Sequence, residues 1–200
     1  MLDNKMRILY QPILNSFLDR FLFVMPNPNV VTFLGLGFAC FALIFISFNH
    51  IFFGLMFILI NRICDGLDGA LARKSKKTSF GGFIDIVCDF IFYSFVPLGF
   101  AISTSENYLP CVILLTSFYI NGATFLALAA VLNADRSIKV IKNQKSIFYT
   151  NGLIEGTETT FFFILFCLLP DKFALLAYCL SILTFLTATQ RVIFAFKTLK

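Results

Sequence analysis

The chain has 200 residues, 58% of them hydrophobic and only 14% charged, with 28 Phe and no Trp. Globular soluble domains carry about 25% charged residues, and a mean hydropathy of +0.86 leaves more apolar surface than a soluble fold of this size can hide without aggregating. The aromatic content excludes a disordered chain, so the solvent that suits this sequence is lipid, and the net charge of +5 has to be explained inside a membrane protein.

Residues 5–25 mix Arg7, Asn15, Asp19 and Arg20 with Ile8, Leu9, Ile13, Leu14, Phe17 and Leu18. The apolar positions recur every three or four residues, which predicts an amphipathic helix lying on the membrane surface. A short helix packed on its own bundle is the alternative. Pro26 and Pro28 end it. Six apolar runs follow, at about 31–48, 51–73, 80–102, 109–132, 151–169 and 173–196. A spanning helix needs about 20 residues, so six spans use most of the chain. The expected fold is an all-α integral membrane domain, six transmembrane helices preceded by a surface helix, with no room for a second domain.

Basic residues cluster at one set of span ends: Lys5, Arg7 and Arg20; Arg73, Lys74, Lys76 and Lys77; Arg136, Lys139, Lys142 and Lys145; Arg191, Lys197 and Lys200. Only Lys172 falls on the other side. By the positive-inside rule the basic side is cytoplasmic, with both termini there. Charges that hug span ends indicate topology and lipid contact and argue against a nucleic-acid partner. No secretory signal or transit peptide is recognisable, which fits a bacterial inner membrane, with an internal eukaryotic membrane as the alternative. Six Cys lie singly in the apolar runs and read as small core residues. His50, in a short loop on the non-cytoplasmic side, is given no catalytic role.

The informative segment runs from Asp65 to Asp89, DGLDGALARKSKKTSFGGFIDIVCD. Asp65 and Asp68 share a helix face, as do Asp85 and Asp89 on the next helix. The basic loop between them makes a hairpin, which brings both pairs to one depth near the cytoplasmic side. A charge at mid-membrane costs about 2.5–3.5 kcal/mol on the insertion scale, and four carboxylates repel one another. Carboxylate ligation suits hard divalent cations, Mg²⁺, Mn²⁺ or Ca²⁺. Four Asp from two helices can hold two ions about 4 Å apart, the arrangement of phosphoryl transfer. Gly66, Gly69, Ala70, Ala72, Gly81 and Gly82 leave bare backbone for a phosphate or base, and Arg73 lies one turn from Gly69, placed to fork onto a pyrophosphate. Small residues that merely let helices pack explain the glycines but not the acids.

The pattern Asp65-x-x-Asp68-Gly69-x-x-Ala72-Arg73, seven residues, then Gly81-x-x-x-Asp85-x-x-x-Asp89 resembles the signature of the CDP-alcohol phosphatidyltransferases. The gap of seven is at the short end for that signature. Pro28-Asn29-Val30-Val31-Thr32 is similar to the family's opening of the first span, so the resemblance covers most of the chain. It implies that Asp65, Asp68 and Asp85 ligate two divalent cations, Mg²⁺ or Mn²⁺. It implies that Asp89 completes the metal site and acts as the base. It places Gly69, Arg73 and a loop hydroxyl, Ser79 or Thr78, on the CDP moiety, with Asn29 and Thr32 in the same pocket. A helix cap is an equally good reading of Asn29 and Thr32. A homodimer is also implied.

The expected reaction transfers a phosphatidyl group from CDP-diacylglycerol to a small alcohol and releases CMP. Glu155 and Glu158 share a face where a sugar-phosphate acceptor calls for basic residues, which leans toward an amino or neutral alcohol. A pairing with the basic link or a helix dipole explains them equally well, and glycerol 3-phosphate remains a candidate acceptor. Two other classes compete: an ion or proton transporter, which spreads its acids across depth and helices, and a non-catalytic lipid-binding scaffold, which needs no intact acid quartet.

Overall fold

The computed structural model describes residues 27–75, 78–134 and 152–199. The expected surface helix over 5–25 and the basic residues Arg136, Lys139, Lys142 and Lys145 lie outside the described residues. All regular structure among those described is helical: α1 (Pro28–Ser47), α2 (Ile51–Lys74), α3 (Ser79–Ser103), α4 (Tyr108–Ala134), α5 (Gly156–Leu168) and α6 (Phe173–Thr198), with single 3-10 turns at Ser105–Asn107 and Pro170–Lys172.

Helix starts follow local chemistry. Pro28 sits in the first turn of α1, where its missing N–H costs nothing, and Asn27 caps that helix by accepting the Asn29 N–H at 3.0 Å. The helix therefore begins three residues before the apolar run. Asn49, between α1 and α2, has φ 61°, a left-handed conformation that Asn tolerates better than most residues. The fifth run was expected from 151, but the helix opens only at Gly156. Residues 152–155 instead lie along α6, where the Ile154 N–H donates to Thr187 Oγ1 at 3.1 Å.

Among the described residues, four stretches are long and apolar enough to cross a membrane: Pro28–Ser47, Ser79–Ser103, Ser105–Leu132 and Pro170–Thr198. The second run forms a helix of 24 residues, but its C-terminal half carries the polar cluster. The fifth forms an apolar helix of 13 residues, short for a full crossing. This chain is an integral membrane protein, with Phe33, Phe41, Phe52 and Phe161 on its outer surface, where lipid accepts them.

Helix α1 packs along both α2 and α3, and α4 along α6, while α3 meets α4 and α2 meets α5 over fewer residues. Small residues permit the tight packing. A Cβ on Gly54 of α2 lands 2.4 Å from Ile46 Cγ1 of α1, and one on Gly99 of α3 lands 3.0 Å from the same side chain. The shared core is aromatic. Phe92 meets Phe163 edge-on at 5.6 Å, Phe166 meets Phe173 at 4.9 Å, and Phe173 stacks on Phe100 at 4.7 Å. All five rings are at most 1% exposed. The sparser seam between α2–α3 and α4–α5–α6 is where a cavity opens.

Candidate functional site

The C-terminal half of α2 and the N-terminal half of α3 bring the sequence-predicted acids together. One carboxylate oxygen each from Asp65, Asp68 and Asp85 lies within 4.8 Å of the other two. Asp68 is 5% exposed and accepts a 2.6 Å hydrogen bond from Thr32 Oγ1 of α1. Around an octahedral ion with bonds of about 2.1 Å, neighbouring oxygens are about 3.0 Å apart and opposite ones about 4.2 Å. Small side-chain adjustments bring this all-oxygen set to that spacing, so the residues fit a hard divalent cation. The cleft they line has a volume of about 10 Å³, close to a single water-sized sphere.

Asp89 lines the same cleft but is held by an arginine. Its Oδ1 accepts from Arg62 Nη2 at 3.0 Å, and Arg62 Nη1 lies 3.6 Å from Asp65 Oδ2. Sequence reasoning missed Arg62. Its signal is the i, i+3 spacing to Asp65 within an apolar run, where an unexplained Arg needs a partner. Asn61, also missed, is 4% exposed. It accepts from Arg62 Nε at 2.8 Å and donates to the Gly35 carbonyl at 2.8 Å, tying the site to α1. A Cβ on Gly35 would come within 3.2 Å of Cys64 Cβ, so this close crossing favours glycine.

The residues expected around a nucleotide gather at the ends of the same helices. A Cβ on Gly69 would sit 3.3 Å from Arg73 Nη1, which places the guanidinium back over the glycine one turn away. Thr78 caps α3, its Oγ1 accepting the Gly81 N–H at 3.0 Å. Asn29 Oδ1 lies 3.1 Å from where a Gly81 Cβ would be, so Asn29 reaches the start of α3. Ser79 is the exposed first residue of that helix. The cap on α1 is Asn27, which separates Asn29 and Thr32 from the capping role held open for them.

Arg62, Asp65 and Asp89 also line a cavity of about 1430 Å³ that extends to Asn121, Glu155 and Arg191. Arg191 is 6% exposed. Its Nη1 donates to Asn121 Oδ1 at 2.6 Å, and its guanidinium carbon lies 5.3 Å from the Phe125 ring centroid. Glu155 and Glu158 form a reciprocal capping box on α5, with the Glu155 N–H donating to Glu158 Oε2 at 3.1 Å. This pairing is the local, helix-end explanation of the two acids.

A profile of the CDP-alcohol phosphatidyltransferases matches residues 25–196. The chain belongs to that family. Its members are transferases of substituted phosphate groups. The Inner membrane protein YnjF of Escherichia coli (strain K12) is 38% identical over 205 residues, covering 100% of this chain and 98% of that protein. The crystal structure of Mycobacterium tuberculosis phosphatidylinositol phosphate synthase (PgsA1) with CDP-DAG bound superposes with a TM-score of 0.59 at 22% identity. That match covers 94% of this chain and 90% of the other and is a likeness of fold. Three acids converging on one cleft also differ from the dispersed acids that a transporter calls for.

Proposed function

We propose that this phosphatidyltransferase moves a phosphatidyl group from CDP-diacylglycerol to the hydroxyl of a small polar alcohol and releases CMP. The observation that carries the reading is the convergence of Asp65, Asp68 and Asp85, with Asp65 and Asp89 also lining a cavity large enough for a headgroup and an acceptor. The mycobacterial protein of similar fold, solved with CDP-DAG bound, supports the same donor.

Asp65, Asp68 and Asp85 would hold the divalent cations, Mg²⁺ or Mn²⁺, with Asp89 completing the site. Such ions neutralise a pyrophosphate and stabilise a departing CMP. Gly69, Arg73, Thr78, Ser79 and Asn29 cradle the CDP moiety, and Thr32 orients Asp68. Asp89 takes the proton of the acceptor hydroxyl. The new oxygen–phosphorus bond forms at the lipid-side phosphorus as the bond to CMP breaks. Arg191, on the far wall of the cavity, favours an acceptor that carries a phosphate, such as glycerol 3-phosphate. Glu155 lines the same cavity and favours an amino alcohol, though its capping role occupies it. The basic span ends support a cytoplasmic active site in a bacterial inner membrane, and the working unit in this reading is a homodimer.

The test is CMP release from CDP-diacylglycerol by the purified chain with serine, glycerol 3-phosphate, inositol phosphate, choline and ethanolamine as acceptors. Release with one of these, and its loss in Asp89→Asn with CDP-lipid binding retained, supports the reading. Full activity of Asp89→Asn removes Asp89 from the base role.

A further inference from the structure

We propose that Phe90 is a specificity-determining residue, whose ring, seated on Gly122, bounds the space open to the acceptor and restricts this enzyme to small, open-chain alcohols. This rests on the phosphatidyl transfer proposed above. In that reading the acceptor hydroxyl lies at Asp89 of α3 and its polar end reaches toward Asn121 of α4 and Arg191 of α6, which line one cavity with it. Phe90 follows Asp89, and Gly122 follows Asn121. Both line the same cavity. Successive helical side chains point about 100° apart, so the Phe90 ring stands beside the carboxylate and is turned to α4.

The contact with α4 is close. A Cβ on Gly122 would fall 2.9 Å from Phe90 Cζ and closer still to Cε1. The edge of the ring therefore rests on the α4 backbone, an approach that the missing side chain of glycine permits. Gly122 is buried, whereas Phe90 keeps 38% of its surface exposed. One edge is pinned and the rest of the ring stays open. Helices α3 and α4 meet over few residues, so the ring fills the seam that the backbones leave. An acceptor that spans from Arg191 to Asp89 has to pass this ring. A short alcohol can lay its methylenes on the ring face. A cyclic polyol carries hydroxyls around its whole rim, and those pressed on the ring lose water without gaining a partner. Rejection by such unpaired polar groups is a means of specificity. Gly122 is the positioning residue. The atoms that meet a methyl there are the far end of a side chain, so the ring turns rather than the helices parting.

The experiment is CMP release by the full-length chain in nanodiscs, with kcat/KM measured for serine, glycerol 3-phosphate, inositol phosphate, choline and ethanolamine. The wild type is expected to use an open-chain acceptor and to discriminate against inositol phosphate. Phe90→Ala should reduce that discrimination about tenfold or more, since even one methylene in a pocket is worth about 10- to 200-fold. Phe90→Leu should fall between. Gly122→Ala should shift the discrimination in the wild-type background and change nothing further in Phe90→Ala, as coupling through the ring requires. A wild type that prefers inositol phosphate, an unchanged discrimination in Phe90→Ala, or an equal loss with every acceptor overturns the proposal. So does a Gly122→Ala effect that persists in Phe90→Ala. Should Gly122→Ala fail to fold, Phe90→Ala and Phe90→Leu decide. No release by the wild type with any acceptor is a failure of the underlying transfer reading, seen before any variant is compared.

Discussion

Replacing Thr32 with Val deletes one hydroxyl and keeps the side-chain volume. In the structure that hydroxyl donates to Asp68 Oδ2 at 2.6 Å, and the Pro28 carbonyl at 3.2 Å is its other acceptor. Both side chains are buried, Thr32 at 8% and Asp68 at 5% exposure, so water does not replace the lost donor readily. A hydrogen bond to a charged group contributes about 1.5–3 kcal/mol. At about 1.36 kcal/mol per factor of ten, that corresponds to a roughly 10- to 100-fold loss, the range seen when a group orienting a metal ligand is removed. The expected outcome is that Thr32→Val needs about 10- to 100-fold more Mn²⁺ for half-maximal CMP release, with the helical circular dichroism signal unchanged. Thr32→Ser, which keeps the donor, should recover most of the difference. An unchanged Mn²⁺ requirement in Thr32→Val would refute the coupling of Thr32 to Asp68 and return Thr32 to the nucleotide pocket.

Asp89→Asn should lower turnover by about 10²–10⁴-fold, the usual worth of a general base, while binding of a CDP-lipid by calorimetry persists. Gly54→Ala places a Cβ 2.4 Å from the buried Ile46 and should cost about 1–3 kcal/mol of stability through overpacking, measured by denaturation in detergent, with Ile46→Ala restoring part of it. Arg191→Gln should raise the KM for a phosphorylated acceptor and leave the CDP-lipid KM in place. An equal rise in both would point to general damage to the bundle.

The acid trio was legible in the sequence because helical periodicity is a local property. Spacings of three and four put Asp65 with Asp68 and Asp85 with Asp89, and a short hairpin can only fold the two faces together. The Arg62–Asp89 pairing was not legible because the two residues are 27 apart in sequence and meet through the packing of both α2 and α3 on α1, which spacing does not specify. The capping box was readable in principle, as two acids at i and i+3 ahead of an apolar run. The usual box has Ser or Thr as its first residue, and Glu155 in that place hid it. The late start of α5 has the same origin: Gly152 to Glu155 are apolar enough to resemble a span, yet their contact with Thr187 and Arg191 is tertiary. A Cβ on Gly152 would lie 2.1 Å from Thr187 Cγ2, a constraint visible only once α6 is beside it. The cavity belongs to the same class, since it exists where two well-packed helix groups meet over few residues.

One assay weighs on the proposed chemistry more than any other: CMP release by the purified chain in nanodiscs containing CDP-diacylglycerol, with the acceptor panel, with and without EDTA. Release that requires both an acceptor and a divalent cation, and that disappears in Asp68→Asn, is the predicted result. Release that survives EDTA, or no release with any acceptor while the protein remains folded, would contradict it.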